Sequence, residues 1–427
     1  MPPRAEPGGA GPAPPTGPAP PPASPGPASP DPTTADPRGG VPAGDRAPAV
    51  SGAWRAGVDP VGRRRFAELP GPLRLERGGV LPGVRVAYET WGRLDAAASN
   101  AVLVLHALTG DSHAAGPAEP GHPSAGWWDG LIGPGRALDT ERLFVVSPNV
   151  LGGCQGTTGP ATTAPDGHPW GGRWPEITIA DQVSAEVAVA DALGVRRWAA
   201  VVGGSMGGMR ALEWAVGHPD RVGRVVVLAC GATATAEQIG LYAVQVRAII
   251  DDPGWHGGDY HRLPAAQGPA AGMGLARRMA QISYRSEEEL EDRFAARTRP
   301  DGQFEVASYL DHHAGKLARR FDAGTYVTLT RAMMTQDVGR GRGGFAAALR
   351  ACPVPFTVAG VDSDRLYPLR LQQEIAASTG APLRVIHSRS GHDGFLTETD
   401  QVAALVREAL GALRGGDSPT GSPGSSP

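Results

Sequence analysis

The sequence predicts a mostly parallel, doubly wound α/β sheet with an inserted helical lid, and two observations lead to this prediction. From residue 80 onward, short apolar runs rich in valine alternate with longer amphipathic stretches. Strands that alternate with helices are typical of a parallel sheet covered by helices on both faces. The alternation is interrupted between about residues 233 and 344, which indicates an insertion into the same domain.

The two ends of the 427-residue chain are predicted to be disordered. Residues 1–50 are rich in Pro, Ala and Gly and almost lack large apolar side chains. Such a segment cannot bury enough apolar surface to offset its conformational entropy. Residues 415–427 have the same character. Between the tails we expect a first core segment over 51–232, the lid over 233–344 and a second core segment over 345–414.

Seven apolar runs are predicted to be strands of the core sheet. They are residues 84–88, 101–105, 143–147, 198–202, 225–229, 354–359 and 383–387. Three stretches with helical spacing are predicted to pack on this sheet, namely 179–193, 206–216 and 401–413. Because most of the strands are continuous apolar runs, we expect both faces of the sheet to be covered.

The lid is predicted to be helical because it is rich in Arg, Glu, Gln, Met and Ala. Helical runs are predicted at residues 237–250, 275–284 and 324–334. Ligands of doubly wound sheets bind at the carboxyl ends of the strands. We therefore expect the lid to cover that edge of the sheet.

Charge and composition exclude several classes of protein. The formal net charge of −3 gives no electrostatic reason to expect nucleic acid or an anionic membrane as a partner. No run of roughly 18 apolar residues occurs, so no membrane span is predicted. The sequence lacks the GK[ST] motif of a phosphate-binding P-loop. Lys316 is its only lysine, which argues against a Schiff-base mechanism.

Cysteine usage and the N-terminal residues indicate a cytoplasmic protein. The three cysteines, at 154, 230 and 352, form neither a disulfide framework nor a C-x-x-C metal site. A secretory signal has a charged segment followed by an apolar one, and the first residues show no such pattern.

The strongest local signal lies in residues 198–209, WAAVVGGSMGGM. An apolar strand leads directly into Gly203-Gly204-Ser205-Met206-Gly207 and then into a helix, which is the G-x-S-x-G motif in its expected context. The glycines remove side chains that would clash with the strand and the helix. The helix N-terminus directs N–H groups and the positive end of its dipole at a developing oxyanion. Ser205 is therefore the predicted nucleophile.

A serine nucleophile needs a base and an acid that orients the base. With this motif the chain order is Ser, then Asp or Glu, then His. Asp362 and Asp364 both follow the strand predicted at 354–359, and His392 follows the strand predicted at 383–387. Asp364 lies four residues before a proline, a spacing common for the acid turn. We therefore predict Asp364 as the acid and His392 as the base.

Two backbone N–H groups are predicted to stabilise the oxyanion. One belongs to Met206, at the start of the helix, and the other to Leu108, in the loop after the strand 101–105. The Gly- and Thr-rich loop 149–160 is expected to shape the pocket. Cys154 lies in this loop and is interpreted as a packed residue, because no histidine is adjacent to it.

No metal site is predicted. His312 and His313 are adjacent, so on a helix their side chains point about 100° apart. No suitably spaced acid or cysteine completes a site. Arg340 and Arg342, in GRGRGG, are interpreted either as phosphate ligands or, with slight preference, as solvated loop charges.

Eight motifs occur in the order YETWG (88–92), HALTGD (106–111), NVLGGCQGTTGP (149–160), GGSMGGM (203–209), RFDAGTY (320–326), DVGRGRGG (337–344), GVDSDRLYP (360–368) and GHDGFL (391–396). Through them, residues 60–413 resemble the homoserine O-acetyltransferases. The resemblance implies an α/β-hydrolase fold and an acyltransferase of methionine biosynthesis. Acetyl-CoA is then a co-substrate, and no further cofactor is expected. A homodimer through the lid helices is also expected.

The resemblance implies three contacts to the substrate homoserine. Arg277 matches an arginine that binds the amino-acid carboxylate, and Tyr284 matches a tyrosine seven residues later, on the same face of one helix. Asp393 matches a carboxylate that holds the amine. Two lid segments depart from the family pattern, with His313 and Leu317 in place of the usual Gln and Phe, and AMMTQDVG in place of AMD…HDVG.

Three reactions are compatible with these residues. They are acetyl transfer to homoserine, the same chemistry with succinyl-CoA or another hydroxyl acceptor, and hydrolysis of an ester. A large lid that carries an arginine favours transfer over hydrolysis, because it can exclude water and position an amino acid.

Overall fold

The computed structural model describes residues 50–411. The tail predicted over 415–427 lies outside the described residues, as does the tail predicted over 1–50 except for its last residue. The mostly parallel α/β sheet with a helical insertion that the sequence predicts is present.

The central sheet is mostly parallel. The strands of the described chain are β1 (Arg65–Glu68), β2 (Leu73–Arg74), β3 (Val80–Leu81), β4 (Arg85–Trp91), β5 (Ala101–Leu105), β6 (Ile132–Gly133), β7 (Leu138–Asp139), β8 (Phe144–Pro148), β9 (Ala200–Gly204), β10 (Val225–Leu228), β11 (Phe356–Val361) and β12 (Leu383–Ile386). Within residues 50–411 the main sheet has the order β1-β4-β8-β5-β9-β10-β11-β12. The pairs β2-β3 and β6-β7 form two small sheets beside it.

The direction of the strands places the ends of β5, β9, β11 and β12 at one edge of the sheet. In the sheet order from β8 through β5 to β12, every neighbouring pair of strands is parallel. Strand β4 runs antiparallel to both of its neighbours, β1 and β8. In the register of the central strands, Val202 of β9 faces Val226 of β10. Loops that leave these parallel strands therefore meet at their carboxyl ends, where ligands of such sheets bind.

Helices cover both faces of the sheet and fill the interval between β10 and β11. They are α1 (Ile179–Ala192), α2 (Met206–Gly217), α3 (Ala236–Ile250), α4 (Ala270–Tyr284), α5 (Glu287–Phe294), α6 (Glu305–Arg320), α7 (Ala323–Met334), α8 (Phe345–Ala351), α9 (Leu369–Thr379), α10 (Gly394–Thr397) and α11 (Thr399–Gly411). None of the helices in the described chain combines the length and the apolar character that crossing a bilayer requires.

Local sequence explains where several helices begin. Thr178 and Asp181 form a reciprocal capping box at the start of α1. Thr235 and Gln238 do the same at the start of α3. Each box satisfies two N–H groups that a helix N-terminus otherwise leaves without an acceptor.

Alternate side chains of the strands enter two separate apolar clusters, one on each face of the sheet. Val201, Val225 and Val227 belong to one cluster. Val202 and Val226 belong to the other. This alternation follows from the two-residue period of a strand, and it explains why the central strands read as continuous apolar runs.

The helices α3 to α7 lie where the sequence predicted the lid, and we use that name for them. Helix α4 packs against both α3 and α6. The bounds 233–344 stay a prediction. Helices α5 and α6 were not among the runs named from the sequence. Helix α5 buries none of its residues, so it lacks the apolar stripe that predicts a helix.

Candidate active site

Ser205 lies in a strained turn between β9 and α2. Its backbone has φ 56° and ψ −125°, a region that non-glycine residues rarely occupy. A Cβ atom on Gly203 would lie 2.2 Å from the carbonyl oxygen of Gly207. A Cβ atom on Gly207 would lie 2.0 Å from the carbonyl oxygen of Leu105. Both positions therefore require glycine, as the motif predicted.

A continuous line of hydrogen bonds joins Ser205, His392 and Asp364. The Nε2 atom of His392 lies 2.9 Å from Oγ of Ser205, and its Nδ1 atom lies 2.7 Å from Oδ2 of Asp364. The other oxygen of Asp364 accepts hydrogen bonds from the N–H groups of Leu366 and Tyr367, both at 2.8 Å. An ionised Asp364 requires the proton on Nδ1, so Nε2 is left to accept from Ser205.

Asp362 occupies a different position from Asp364. It lies 2.8 Å from Nδ1 of His387, and it accepts a hydrogen bond from the N–H group of Ser388. Its side chain is 39% exposed, whereas that of Asp364 is fully buried. Of the two acids weighed from the sequence, the structure brings Asp364 to His392.

The pKa of His392 is raised above its ordinary value. Burial alone lowers the pKa, because it disfavours the charged ring. The charge of Asp364 and its hydrogen bond outweigh this effect, and the charge of Asp393 adds to them. The ring is therefore a stronger base than a free imidazole.

The loop after β5 brings Leu108 to the wall of the same cavity that Ser205 lines. Fully buried Arg210 pairs with Glu186 and donates to the carbonyl oxygen of His106, which fixes the start of this loop. Burial and the charge of Arg210 lower the pKa of His106 to about 3. The neutral ring accepts a hydrogen bond from the N–H group of Val150 at 3.0 Å.

Met206 is the first residue of α2, where an N–H group has no acceptor within the helix. Of the two predicted oxyanion donors, Met206 thus directly follows Ser205 in the chain, and Leu108 lines the same cavity as Ser205. Their role stays a prediction.

Residues of the lid and of the loops that follow β5, β11 and β12 enclose the cavity above Ser205. Counting the space open to solvent, it measures about 490 Å³. It is lined by Ala107, Leu108, Thr109, Ser205, Tyr242, Arg277, Tyr284, Met333, Leu366, His392, Asp393, Phe395 and Leu396.

All three residues expected to contact homoserine line this cavity. Arg277 is 3% exposed, and its Nε and Nη1 atoms have no hydrogen-bond partner among the described residues. Its guanidinium carbon lies 5.3 Å from the ring centre of Tyr284, which lies 5.9 Å from the ring of His392. Asp393 is buried beside His392 and forms an ion pair with Arg285. The cavity thus joins a buried cation and a buried anion to the serine.

Sequence analysis missed a buried polar cluster of Glu89, His113 and His122. Their ligand atoms all lie within 4.8 Å of one another, as in some metal sites. However, the two imidazole rings stack at 4.0 Å and 15°, so their in-plane lone pairs cannot meet at one ion. The Nε2 atom of His122 also accepts the N–H group of Arg63 at 3.0 Å. We therefore interpret the cluster as a hydrogen-bonded network.

The pKa values of the two histidines in this network are shifted in opposite directions. Burial lowers the pKa of His113, but the hydrogen bond and charge of Glu89 outweigh it, so that the pKa is raised. Burial lowers the pKa of His122 to about 4. The three residues are far apart in sequence, so spacing gave no signal for them.

The remaining residues singled out from the sequence do not line the cavity. Burial raises the pKa of Cys154 to about 12, so it stays a thiol. Arg340 pairs with Glu76, and Arg342 forms two hydrogen bonds to Glu213, so both guanidinium groups already hold carboxylates. This arrangement fits neither phosphate ligands nor fully solvated charges.

Comparisons with known proteins agree with this geometry. The family model described as alpha/beta hydrolase fold matches residues 100–399. A homoserine O-acetyltransferase from Thermobifida fusca is 61% identical over 371 residues, which cover 84% of this chain and 97% of the relative.

Two solved structures have a similar fold. The homoserine O-acetyltransferase from Bacillus anthracis has a TM-score of 0.75 at 26% identity, covering 81% of this chain and 97% of that one. Esterase E22 also has a TM-score of 0.75 at 26% identity, covering 81% of this chain and 99% of that one. The sequence identity to the Thermobifida relative is much higher than to either structure. The chain therefore belongs to the homoserine O-acetyltransferase family of the α/β hydrolases.

Proposed function

We propose that this chain transfers an acetyl group from acetyl-CoA to the γ-hydroxyl of L-homoserine, giving O-acetyl-L-homoserine and CoA. One observation carries the proposal most directly. Arg277 and Asp393 place opposite charges on the wall of the cavity that contains Ser205. Homoserine is a zwitterion, so its carboxylate and ammonium groups match these two side chains. Family membership supports the same acceptor and donor.

In the first half-reaction, Oγ of Ser205 attacks the thioester carbonyl carbon while Nε2 of His392 takes the hydroxyl proton. The N–H groups of Leu108 and Met206 stabilise the tetrahedral oxyanion. When the intermediate collapses, the C–S bond breaks and His392 returns the proton to the CoA sulfur. An acetyl ester on Ser205 remains.

In the second half-reaction, His392 takes the proton of the γ-hydroxyl of homoserine, and the hydroxyl oxygen attacks the acetyl-serine. The bond between the acetyl carbon and Oγ of Ser205 then breaks, and the proton returns to Ser205. Asp364 keeps the imidazole in one tautomer throughout. Serine, histidine and two N–H groups supply the nucleophile, the base and the oxyanion donors, so we propose no cofactor beyond the co-substrate.

Hydrolysis is the alternative, since an esterase has a similar fold. The lid side of the cavity argues against hydrolysis. Arg277 is buried with two nitrogen atoms that have no partner among the described residues, which is costly unless a ligand anion binds there. An esterase that only admits water has no use for such a group.

We propose acetyl-CoA rather than succinyl-CoA as the donor. Among the residues that line the cavity in the described chain, Arg277 is the only cation, and the acceptor carboxylate needs it. Near Ser205 the other lining side chains include apolar Leu108, Met333 and Phe395, which offer no partner for a second carboxylate.

We also propose a cytoplasmic homodimer that associates through the lid. The lid helices α3 and α4 expose large apolar side chains, namely Ile239, Val244, Leu275 and Ile282. Exposed apolar residues grouped on neighbouring helices are typical of an interface. The described cysteines are all free thiols, which fits a reducing compartment.

Release of free CoA thiol tests the reaction. We expect acetyl-CoA alone to give a single burst of one thiol per active site, and steady release only after L-homoserine is added. Initial-rate lines at several fixed homoserine concentrations should be parallel. Steady release without homoserine would identify a hydrolase, and a faster burst and turnover with succinyl-CoA than with acetyl-CoA would overturn the donor.

A further inference from the structure

A buried ion pair joins the lid to the loop that carries His392. Arg285 directly follows the last residue of α4, and its Nη2 atom lies 3.3 Å from Oδ2 of Asp393. The two side chains are only 2% and 9% exposed. Water screens such a pair weakly, and a buried carboxylate that loses its cation is strongly destabilised. The charge and the orientation of Asp393 therefore depend on Arg285.

Other contacts hold Arg285 in place. Its Nε atom donates to the hydroxyl of Tyr309 on α6 at 3.1 Å, and its Nη1 atom lies 3.4 Å from Glu289 on α5. Its backbone carbonyl accepts from Nη2 of Arg365 at 2.9 Å. The guanidinium is thus held by side chains of α5 and α6, and the backbone of Arg285 is held by Arg365.

The backbone brings the end of α4 and the loop of His392 into direct contact. A Cβ atom on Gly391 would lie 2.6 Å from the nitrogen of Ser286 and 2.7 Å from the carbonyl oxygen of Tyr284. The hydroxyl of Ser286 donates to the carbonyl oxygen of Arg389. The position of Asp393 relative to the lid is therefore set by short contacts on both sides of Gly391.

We propose that Arg285 is a positioning residue for the acceptor: it holds the carboxylate of Asp393 at the cavity wall, where that carboxylate receives the ammonium group of homoserine. The proposal rests on the function proposed above. Asp393 lines the cavity, whereas Arg285 is not among its lining residues in the described chain. Arg285 therefore acts on the substrate through Asp393.

The arrangement also explains why the lid carries two arginines with different surroundings near one small substrate. Arg277 has nitrogen atoms without a partner among the described residues, so it is open to the substrate carboxylate. Arg285 donates to Tyr309 and forms ion pairs with Glu289 and Asp393, the latter as a 3.3 Å contact of Nη2 without hydrogen-bond geometry.

The test compares Arg285→Met and Arg285→Lys in the full chain. Arg278→Met serves as the matched control, because Arg278 lies on α4, seven residues before Arg285, and pairs with Asp311 at the surface at 2.7 Å. The CoA burst with acetyl-CoA alone gives the rate of Ser205 acetylation. Steady-state turnover gives kcat and KM for L-homoserine, and thermal melting checks that each variant is folded.

We expect Arg285→Met to acetylate Ser205 at about the wild-type rate, and to lose about 10-fold or more in kcat/KM for homoserine through a higher KM. Arg285→Lys should recover part of this loss, and Arg278→Met should match the wild type in both half-reactions. In an Asp393→Asn background, Arg285→Met should cost less than about 2-fold further, since residues that act as one unit are not additive.

Two results would overturn the proposal. One is an equal slowing of both half-reactions by Arg285→Met, which indicates a general structural role. The other is a full additional penalty in the Asp393→Asn background, which shows that Arg285 does not act through Asp393. These results are distinct from a refutation of the proposed function. In that case the wild-type enzyme itself would show no homoserine-dependent release of CoA.

Discussion

The sheet side and the lid side of the cavity differ in how their polar groups are satisfied. On the sheet side, Ser205, His392 and Asp364 form an unbroken line of hydrogen bonds that ends on two backbone N–H groups. On the lid side, buried Arg277 keeps two nitrogen atoms without a partner among the described residues. The groups on the sheet side thus satisfy one another, whereas on the lid side a buried cation is left to face the cavity.

The largest loss of activity is expected when the nucleophile on the sheet side is removed. Ser205→Ala should cut turnover on the order of 10⁴-fold or more, because the three residues act as a unit. Intact-protein mass spectrometry after mixing with acetyl-CoA should show one acetyl group on the wild type and none on the variant. Acetylation of the variant to the same extent would place the nucleophile elsewhere.

Removing the orienting acid should cost nearly as much. Asp364→Asn allows the wrong tautomer of His392, and comparable changes in other triads lower turnover by about 10⁴-fold. Asp362→Asn is the matched control, since Asp362 contacts His387 instead, and we expect a loss of less than about 10-fold. Steady-state rates of the two variants decide between the acids. A larger loss in Asp362→Asn than in Asp364→Asn would refute the assignment.

Changes on the lid side should affect only the acceptor. Arg277→Ala removes a charged partner of the substrate carboxylate, so kcat/KM for homoserine should fall by about 10- to 100-fold. The CoA burst should persist, because acetylation of Ser205 does not involve homoserine. Arg278→Ala, one residue along α4, should change neither measurement. An unchanged homoserine dependence in Arg277→Ala would remove Arg277 from the site.

The smallest expected effect concerns the pH dependence of activity, whose midpoint is set by the pKa of His392 on the sheet side. His392 must be neutral to act as a base, and its pKa is raised, so activity should fall as the pH drops through a midpoint above about 6.5. Profiles of kcat/KM for acetyl-CoA report this midpoint for the free enzyme. Residual activity of Asp364→Asn should show a lower midpoint, because the charge that raises the pKa is gone. A wild-type midpoint below 6.5 would contradict the assignment.

The residues that sequence reasoning proposed for the sheet side lie together in the structure, because the signals that mark them are local. The G-x-S-x-G turn needs glycine for steric reasons. The central strands are valine-rich runs because side chains on both faces of the sheet are buried. The order of Ser205, Asp364 and His392 then follows from where those strands end. These features depend on short stretches of chain, and a single sequence displays them directly.

The lid side was less predictable because its contacts join distant segments. Nothing in the sequence distinguishes Arg285 from Arg278, yet one is buried against Asp393 and the other lies at the surface. Strand β1 was missed because three of its four residues are not buried and it contains charges at both ends. Propensity and spacing do not encode such tertiary contacts.

The close approach of Gly391 to the end of α4 couples two parts of the molecule that are more than 100 residues apart in the chain. The backbone of Tyr284 and Ser286 lies against the residue that precedes His392 and leaves no room there for a Cβ atom. Because the coupling is made by backbone atoms, substitution of surface side chains on α4 leaves it intact. A displacement of the end of α4 would instead be transmitted to the loop that carries the base, so the lid and the base share one rigid contact.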